Sequence, residues 1–139
     1  MITCKGGDQL KNMPAKTPIS PHFSEDFSFK YKVTYGPEQH EYHTHKQFDI
    51  IFMLTPNSVC HVSEKNWKVP KNSIILFNNM DLHKITLNTH ERFERYTLSF
   101  KPEYIESLSS KETDLLECFF LRPFSNPYIL PLTIPQAEE

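Results

Sequence analysis

From Phe27 to Tyr35 the chain alternates, with Phe27, Phe29, Tyr31, Val33 and Tyr35 on one side and Ser28, Lys30, Lys32 and Thr34 on the other. A period of two with one polar side predicts a half-buried strand. Gly36-Pro37-Glu38 then turns the chain. The next stretch, His43 to Leu54, reads differently: a His-x-His pair, a carboxylate at Asp49, and an unbroken apolar run. As a strand it places His43, His45, Asp49, Ile51 and Met53 on one face and Phe48, Ile50, Phe52 and Leu54 on the other. A strand apolar on both faces is covered on both sides, so the imidazoles and the carboxylate would point into a closed interior.

Short strands follow in quick succession. Ser58 to Ser63 and Trp67 to Val69 read as a hairpin around Glu64-Lys65-Asn66, and Pro70-Lys71-Asn72 as a turn. Ser73 to Phe77 is an apolar strand. Leu82 to Leu87 alternates with His83, Ile85 and Leu87 on one face, and Arg92 to Phe100 with Tyr96, Leu98 and Phe100 against Arg95, Thr97 and Ser99. From Pro102 the period changes. Tyr104, Ile105 and Leu108 predict a short helix, Leu115, Leu116, Phe119 and Phe120 a second, and Tyr128 to Leu132 a terminal strand among prolines. Many short strands and then helices predict a mostly β chain, a small barrel or sandwich with a helical appendage. The expected divisions are a mobile arm over 1–22, the barrel over 23–101 and the appendage over 102–139.

Composition and charge exclude several functions. In 139 residues there are 3 glycines, too few and too scattered for a P-loop or a dinucleotide fingerprint. A net charge of −2 argues against this chain holding nucleic acid by itself. Cys4, Cys60 and Cys118 form neither a disulfide framework nor a zinc-finger spacing, and reduced thiols suit a cytoplasmic protein. No apolar stretch reaches membrane-spanning length. No nucleophile lies on a recognisable turn, so no catalytic residue is assigned.

The remaining chemistry centres on the histidines. His83 is the residue best placed to join His43, His45 and Asp49, and three imidazoles with one carboxylate form a familiar shell for a divalent metal. The residues leave three readings open: a metal site, a hydrogen-bonded pocket for an organic ligand, or a structural cluster. His22, His40, His61 and His90 lack neighbours of ligand type and read as structural. The face carrying Arg95 and Thr97 is either solvated or lines a polar cavity. Trp67 is a packing residue or an aromatic wall for a sugar-like ligand. The Leu115–Phe120 stripe reads as core or interface.

The order of these features resembles a known family. His43-x-His45-x3-Asp49, then Val69-Pro70-Lys71-Asn72, Ile74-Ile75-Leu76-Phe77 and His83, is similar to the two motifs of cupins. Pro70-Lys71-Asn72 stands for the usual Pro-Gly-Asp turn, Pro56-Asn57 for the glycine closing the first motif, and Asp49 where Glu is usual. Glu91 to Ile105 resembles a segment of the N-terminal domains of AraC-type transcription regulators, and His43 to Leu54 resembles their first histidine-bearing strand. Leu115 to Phe120 fits the helix that follows.

The resemblance implies a cupin-like, double-stranded β-helix (jelly-roll) barrel with short C-terminal helices. It would bind a small effector, a sugar or other metabolite, dimerise through its helices, and act on DNA through a C-terminal helix-turn-helix domain expected beyond this sequence. The expected ligand-binding residues are His43, His45, Ile51, Met53, Trp67, His83 and Arg95. The expected metal set is His43, His45, Asp49 and His83, with Zn, Ni, Fe or Mn compatible and no cofactor required. The expected role is regulatory, in the cytoplasm, without a membrane partner. The alternative is a small metal-dependent cupin enzyme: an isomerase, epimerase or dioxygenase.

Overall fold

The computed structural model describes residues 26–37, 39–122 and 128–138, so the expected arm over 1–22, with His22 and Cys4, lies outside the described residues. Eight strands and three short helices appear in the order β1 (Phe27–Tyr35), β2 (Phe48–Met53), β3 (Ser58–Val62), β4 (Lys65–Val69), β5 (Ser73–Phe77), β6 (His83–Leu87), β7 (Arg92–Phe100), α1 (Pro102–Glu106), α2 (Glu117–Phe120), β8 (Ile129–Pro131) and α3 (Ile134–Glu138). Two antiparallel sheets face each other, one ordered β1-β7-β2-β5-β8 and the other β4-β3-β6. The fold is mostly β, as the alternation predicts.

The two periods of β2 explain the layering. Ile51 and Met53 turn inward and join Cys60, Val62, Val69, Ile75, Phe77, Leu87, Phe93 and Ile129 in one core between the sheets. The register puts Ile51 opposite Ile75 on β5 and Thr97 on β7, and Met53 opposite Ser73 and Arg95. A slip by one residue would exchange the two faces, so burial on both sides holds the register. Phe48 and Phe100 face outward with Ile50, Leu76 and Leu98, where Phe119 of α2 and Ile105 of α1 close a second cluster. The apolar side of β1 lies on this outer face as well. Phe29 and Tyr31 sit beside Leu98 and Tyr96 and remain 41% and 50% exposed, whereas the alternation predicts a buried apolar side.

The turns use asparagine and serine in place of scarce glycine. Asn57, Ser63 and Asn72 adopt positive φ, and asparagine tolerates that conformation better than most residues. The hairpin turn falls at Ser63-Glu64, one step before the expected position, so that Lys65 and Asn66 pair with Val62 and His61. Gly36 packs so closely on Thr89 and Leu87 that a Cβ would collide with both. The chain after Pro102 also returns to the barrel, because β8 pairs with β5.

No helix among the described residues is long and apolar enough to cross a membrane. The cysteines differ sharply. Burial pushes the Cys60 thiol up to about 12, whereas Cys118 is exposed. In native protein a thiol reagent is expected to label Cys118 and to reach Cys60 only on unfolding, as read by mass spectrometry. Equal native labelling of the two would contradict this placement of β3.

Candidate functional site

His43 is not part of β2. It forms an isolated bridge with His83, each backbone N–H donating to the other's carbonyl at 3.0 Å. The segment through His45 is therefore extended but outside the strand, a bend at Lys46-Gln47 follows, and β2 starts only at Phe48. Local extension still puts side chains at i and i+2 on one side. The bridge adds His83 from the first residue of β6, so a pairing between segments 40 residues apart assembles what the sequence separates.

The ring centroids lie 5.8 Å apart for His43 and His45, 4.6 Å for His43 and His83, and 5.2 Å for His45 and His83. Each Nδ1 faces a backbone carbonyl: Glu41 at 3.0 Å from His43, Gln47 at 2.7 Å from His45 and Asp81 at 2.9 Å from His83. A carbonyl only accepts, so each Nδ1 carries a proton and donates it, and each neutral ring keeps its lone pair on Nε2. One ligand nitrogen from each ring lies within 4.8 Å of the others. Three nitrogens held tetrahedrally at about 2.1 Å from one divalent ion lie about 3.4 Å apart, so the trio would have to draw together by up to about 1.4 Å to grip it.

Asp49 stands beside this trio. Its Oδ2 is 3.1 Å from His45 Nε2. The two atoms are close enough to attract as an ion pair but out of line for a hydrogen bond, and the buried Nε2 has none among the described residues. A bare lone pair facing a carboxylate oxygen repels it, so a proton or a metal ion at Nε2 is needed to reconcile the two. The Asp49 carboxylate accordingly raises the His45 pKa, outweighing burial. His83 behaves oppositely: burial lowers its pKa. It is 3% exposed and stacks on Phe77 with ring centroids 3.8 Å apart at 11°. The donor set, the tautomers and the unsatisfied nitrogen all fit a divalent metal held through nitrogen.

The trio opens on a cleft of about 300 Å³ lined by His40, His43, Asp49, Ile51, His83, Ile85, Phe93, Arg95 and Thr97. Of the expected ligand residues, His43, Ile51, His83 and Arg95 line the cleft, and His45 is in the histidine trio. The cleft lining does not include Met53, which is fully buried in the core, or Trp67, which packs against Tyr128 with centroids 5.2 Å apart. The Arg95 guanidinium lies over the Phe93 ring, 4.1 Å from its centroid, and the Arg95–Thr97 side of β7 lines the cavity. His40 and Phe93 joined the lining without a sequence signal. Ile85 had one, since it shares the His83 face of β6.

Two facing antiparallel sheets with a histidine cleft between them define a cupin barrel. Solved structures agree. The cupin domain of Cnp3 from Schizosaccharomyces pombe is similar with a TM-score of 0.54 at 11% identity, over 70% of each chain. A cupin 2 conserved barrel domain protein from Salinispora arenicola is similar with a TM-score of 0.52 at 14% identity, over 69% of this chain and 76% of that one. At such identities the likeness is one of fold. The model of the AraC-like ligand binding domain matches residues 31–133, and the chain belongs to that family. No curated protein matches the sequence.

Proposed function

We propose that this domain is the effector-sensing part of a cytoplasmic AraC-type regulator. A small molecule, a sugar or other metabolite, binds in the histidine cleft and biases DNA binding by a helix-turn-helix unit beyond this sequence, in a homodimer. The observation that carries the metal part of this reading is His45 Nε2, buried without a hydrogen bond and 3.1 Å from Asp49 Oδ2. His43, His45 and His83 would hold a divalent ion through Nε2, and the ion would offer open positions to an effector oxygen or nitrogen. Ile51, Ile85 and Phe93 supply apolar walls, and Arg95 and Thr97 supply polar groups from the β7 side.

Thermal shift tests the sensor. Zn(II), Ni(II) or Mn(II), alone and with candidate metabolites, is expected to raise the Tm by several degrees, since a hundredfold excess over Kd adds about 2.7 kcal/mol. Metal affinity is expected to weaken as pH falls through the raised pKa of His45, by about tenfold per unit for one displaced proton. Asp49→Asn, which removes the group raising that pKa, should move the onset to lower pH. If neither metal nor metabolite stabilises the domain, and the full regulator binds its operator identically with and without cell extract, the sensor reading is lost.

A second reading, a small metal-dependent cupin enzyme, is favoured by the open positions that three nitrogen ligands leave. Turnover of a candidate isomerase, epimerase or dioxygenase substrate by metal-loaded protein would decide for it.

A further inference from the structure

The loop between β5 and β6 holds both the histidine site and the C-terminal segment. On the site side, the Asp81 carbonyl accepts the His83 Nδ1 proton at 2.9 Å. On the other side, the Asp81 carboxylate accepts from the Arg122 guanidinium, Oδ2 to Nη2 3.0 Å, with the two side chains only 10% and 8% exposed. The same Oδ2 takes the Asn78 backbone N–H at 2.8 Å. Asn78 Oδ1 in turn accepts from the Met80 and Asp81 backbone N–H groups. The Asn78 side-chain amide donates to the Phe119 carbonyl of α2 at 3.2 Å. Arg122 also lies over the Tyr128 ring, 4.6 Å from its centroid, and Tyr128 in turn is tied to β5: its carbonyl accepts from the Leu76 backbone N–H, and its ring centroid lies 6.3 Å from that of Phe77.

This is more than a surface turn would need. Exposed ion pairs contribute little, but a buried pair is costly to break on one side, so Asp81 and Arg122 move together. The orientation of the Asp81 peptide fixes the His83 ring, and a histidine ligand is held in tautomer and direction by the group at its other nitrogen. One four-residue turn therefore sets the His83 ring and anchors the C-terminal segment at two points, Phe119 in α2 and Arg122 just after it.

We propose that the Asn78–Asp81 turn is the joint through which occupancy of the histidine cleft reaches the C-terminal segment, with Asp81 as the residue that positions His83 and holds Arg122. As a regulatory device this rests on the cleft being the sensing site. Drawing the three rings together around a ligand moves His83, the Asp81 peptide follows, and the Arg122 and Phe119 anchors tighten. The coupling is reciprocal: loss of the anchors weakens ligand binding by the factor that ligand binding strengthens them.

Amide exchange over residues 117–121, with Zn(II) as the probe, tests the joint. In the wild-type domain Zn(II) is expected to slow exchange there by about 5-fold or more, the lower end of ordinary coupling. Asp81→Asn with Arg122→Met removes the pair without leaving a buried charge. It keeps the Asp81 carbonyl, so Zn(II) still binds, weakened by that same factor, and no longer slows exchange at 117–121. The proposal is overturned if Zn(II) binds the wild type without changing that exchange, or if the double variant keeps the full response.

Failure of Zn(II) to bind at all would instead remove the metal reading, and the joint would then be judged without metal. His83→Ala removes the donor to Asp81, and Arg122→Met removes the anchor. Each should speed exchange at 117–121, and together no more than the larger of the two. Fully additive effects would overturn the joint. Arg122→Lys should restore part of the protection that Arg122→Met loses, whereas no rescue would also count against it.

Discussion

His83→Ala is expected to abolish useful metal binding in the cleft, lowering affinity for Zn(II) or Co(II) by at least about 100-fold, and also to destabilise the fold. Loss of an outer partner of a metal ligand already costs about 10–100-fold, so loss of one of three ligands costs more. The stability loss has two parts. The ring is buried against Phe77, so its removal opens a cavity in the core. The Asp81 carbonyl also loses its donor, at about 1–3 kcal/mol if no water replaces it. His43→Ala separates the two effects. Its ring is exposed and bonds to the Glu41 carbonyl, so its loss should cost comparable metal affinity at little cost in stability. Calorimetric titration and urea unfolding of both variants read the difference. Undiminished metal affinity in both would remove the trio from the site.

The contrast between these histidines also marks how far the sequence could be read. The His-x-His pair, the apolar run after Asp49 and the alternation of β6 identify His43, His45 and His83 as a group, because period-two patterns are local. The same logic extends β2 back to His43, whereas the strand begins at Phe48. Pairing across the barrel, His43 to His83, decides that boundary, and no local pattern encodes it. Chemistry and strand face place Trp67 and Met53 at the ligand, but β4 and β2 aim them into the core, where Trp67 packs against Tyr128 and Met53 is buried between the sheets. Strand geometry groups Asp49 with the ligands. Its carboxylate lies against His45, a relation that depends on the bend at Lys46-Gln47. The β1 alternation predicts a strand correctly, yet its apolar side faces outward, because antiparallel pairing with β7 puts Phe29 and Tyr31 beside Leu98 and Tyr96. Periodicity reports that a strand has two unlike faces and is silent on which one meets the core.

Phe119→Ala is expected to release the C-terminal segment while the barrel stays folded. Phe119 is 1% exposed in a helix of four residues whose other side chains are exposed. Its ring lies 4.9 Å from Phe48 and 5.7 Å from Phe100. A helix that short has no stability of its own, so this docking, with the Asn78 and Arg122 anchors, is what orders it. Truncating a buried Phe costs about 3–5 kcal/mol, more than such a segment can lose and remain docked. The large core between the sheets contains no residue of α2, so the loss should stay local. Amide protection is expected to vanish over 117–121 and to persist in β2, β5 and β7. Phe77→Ala, at similar cost inside the main core, should instead lower protection everywhere, since it removes a large part of the roughly 5–15 kcal/mol that holds a domain of this kind. If Phe119→Ala lowers protection in β5 as much as in α2, segment and barrel are one cooperative unit. For a sensor the separation matters, because ordinary coupling of about 1–3 kcal/mol can shift a marginally docked helix but not a barrel.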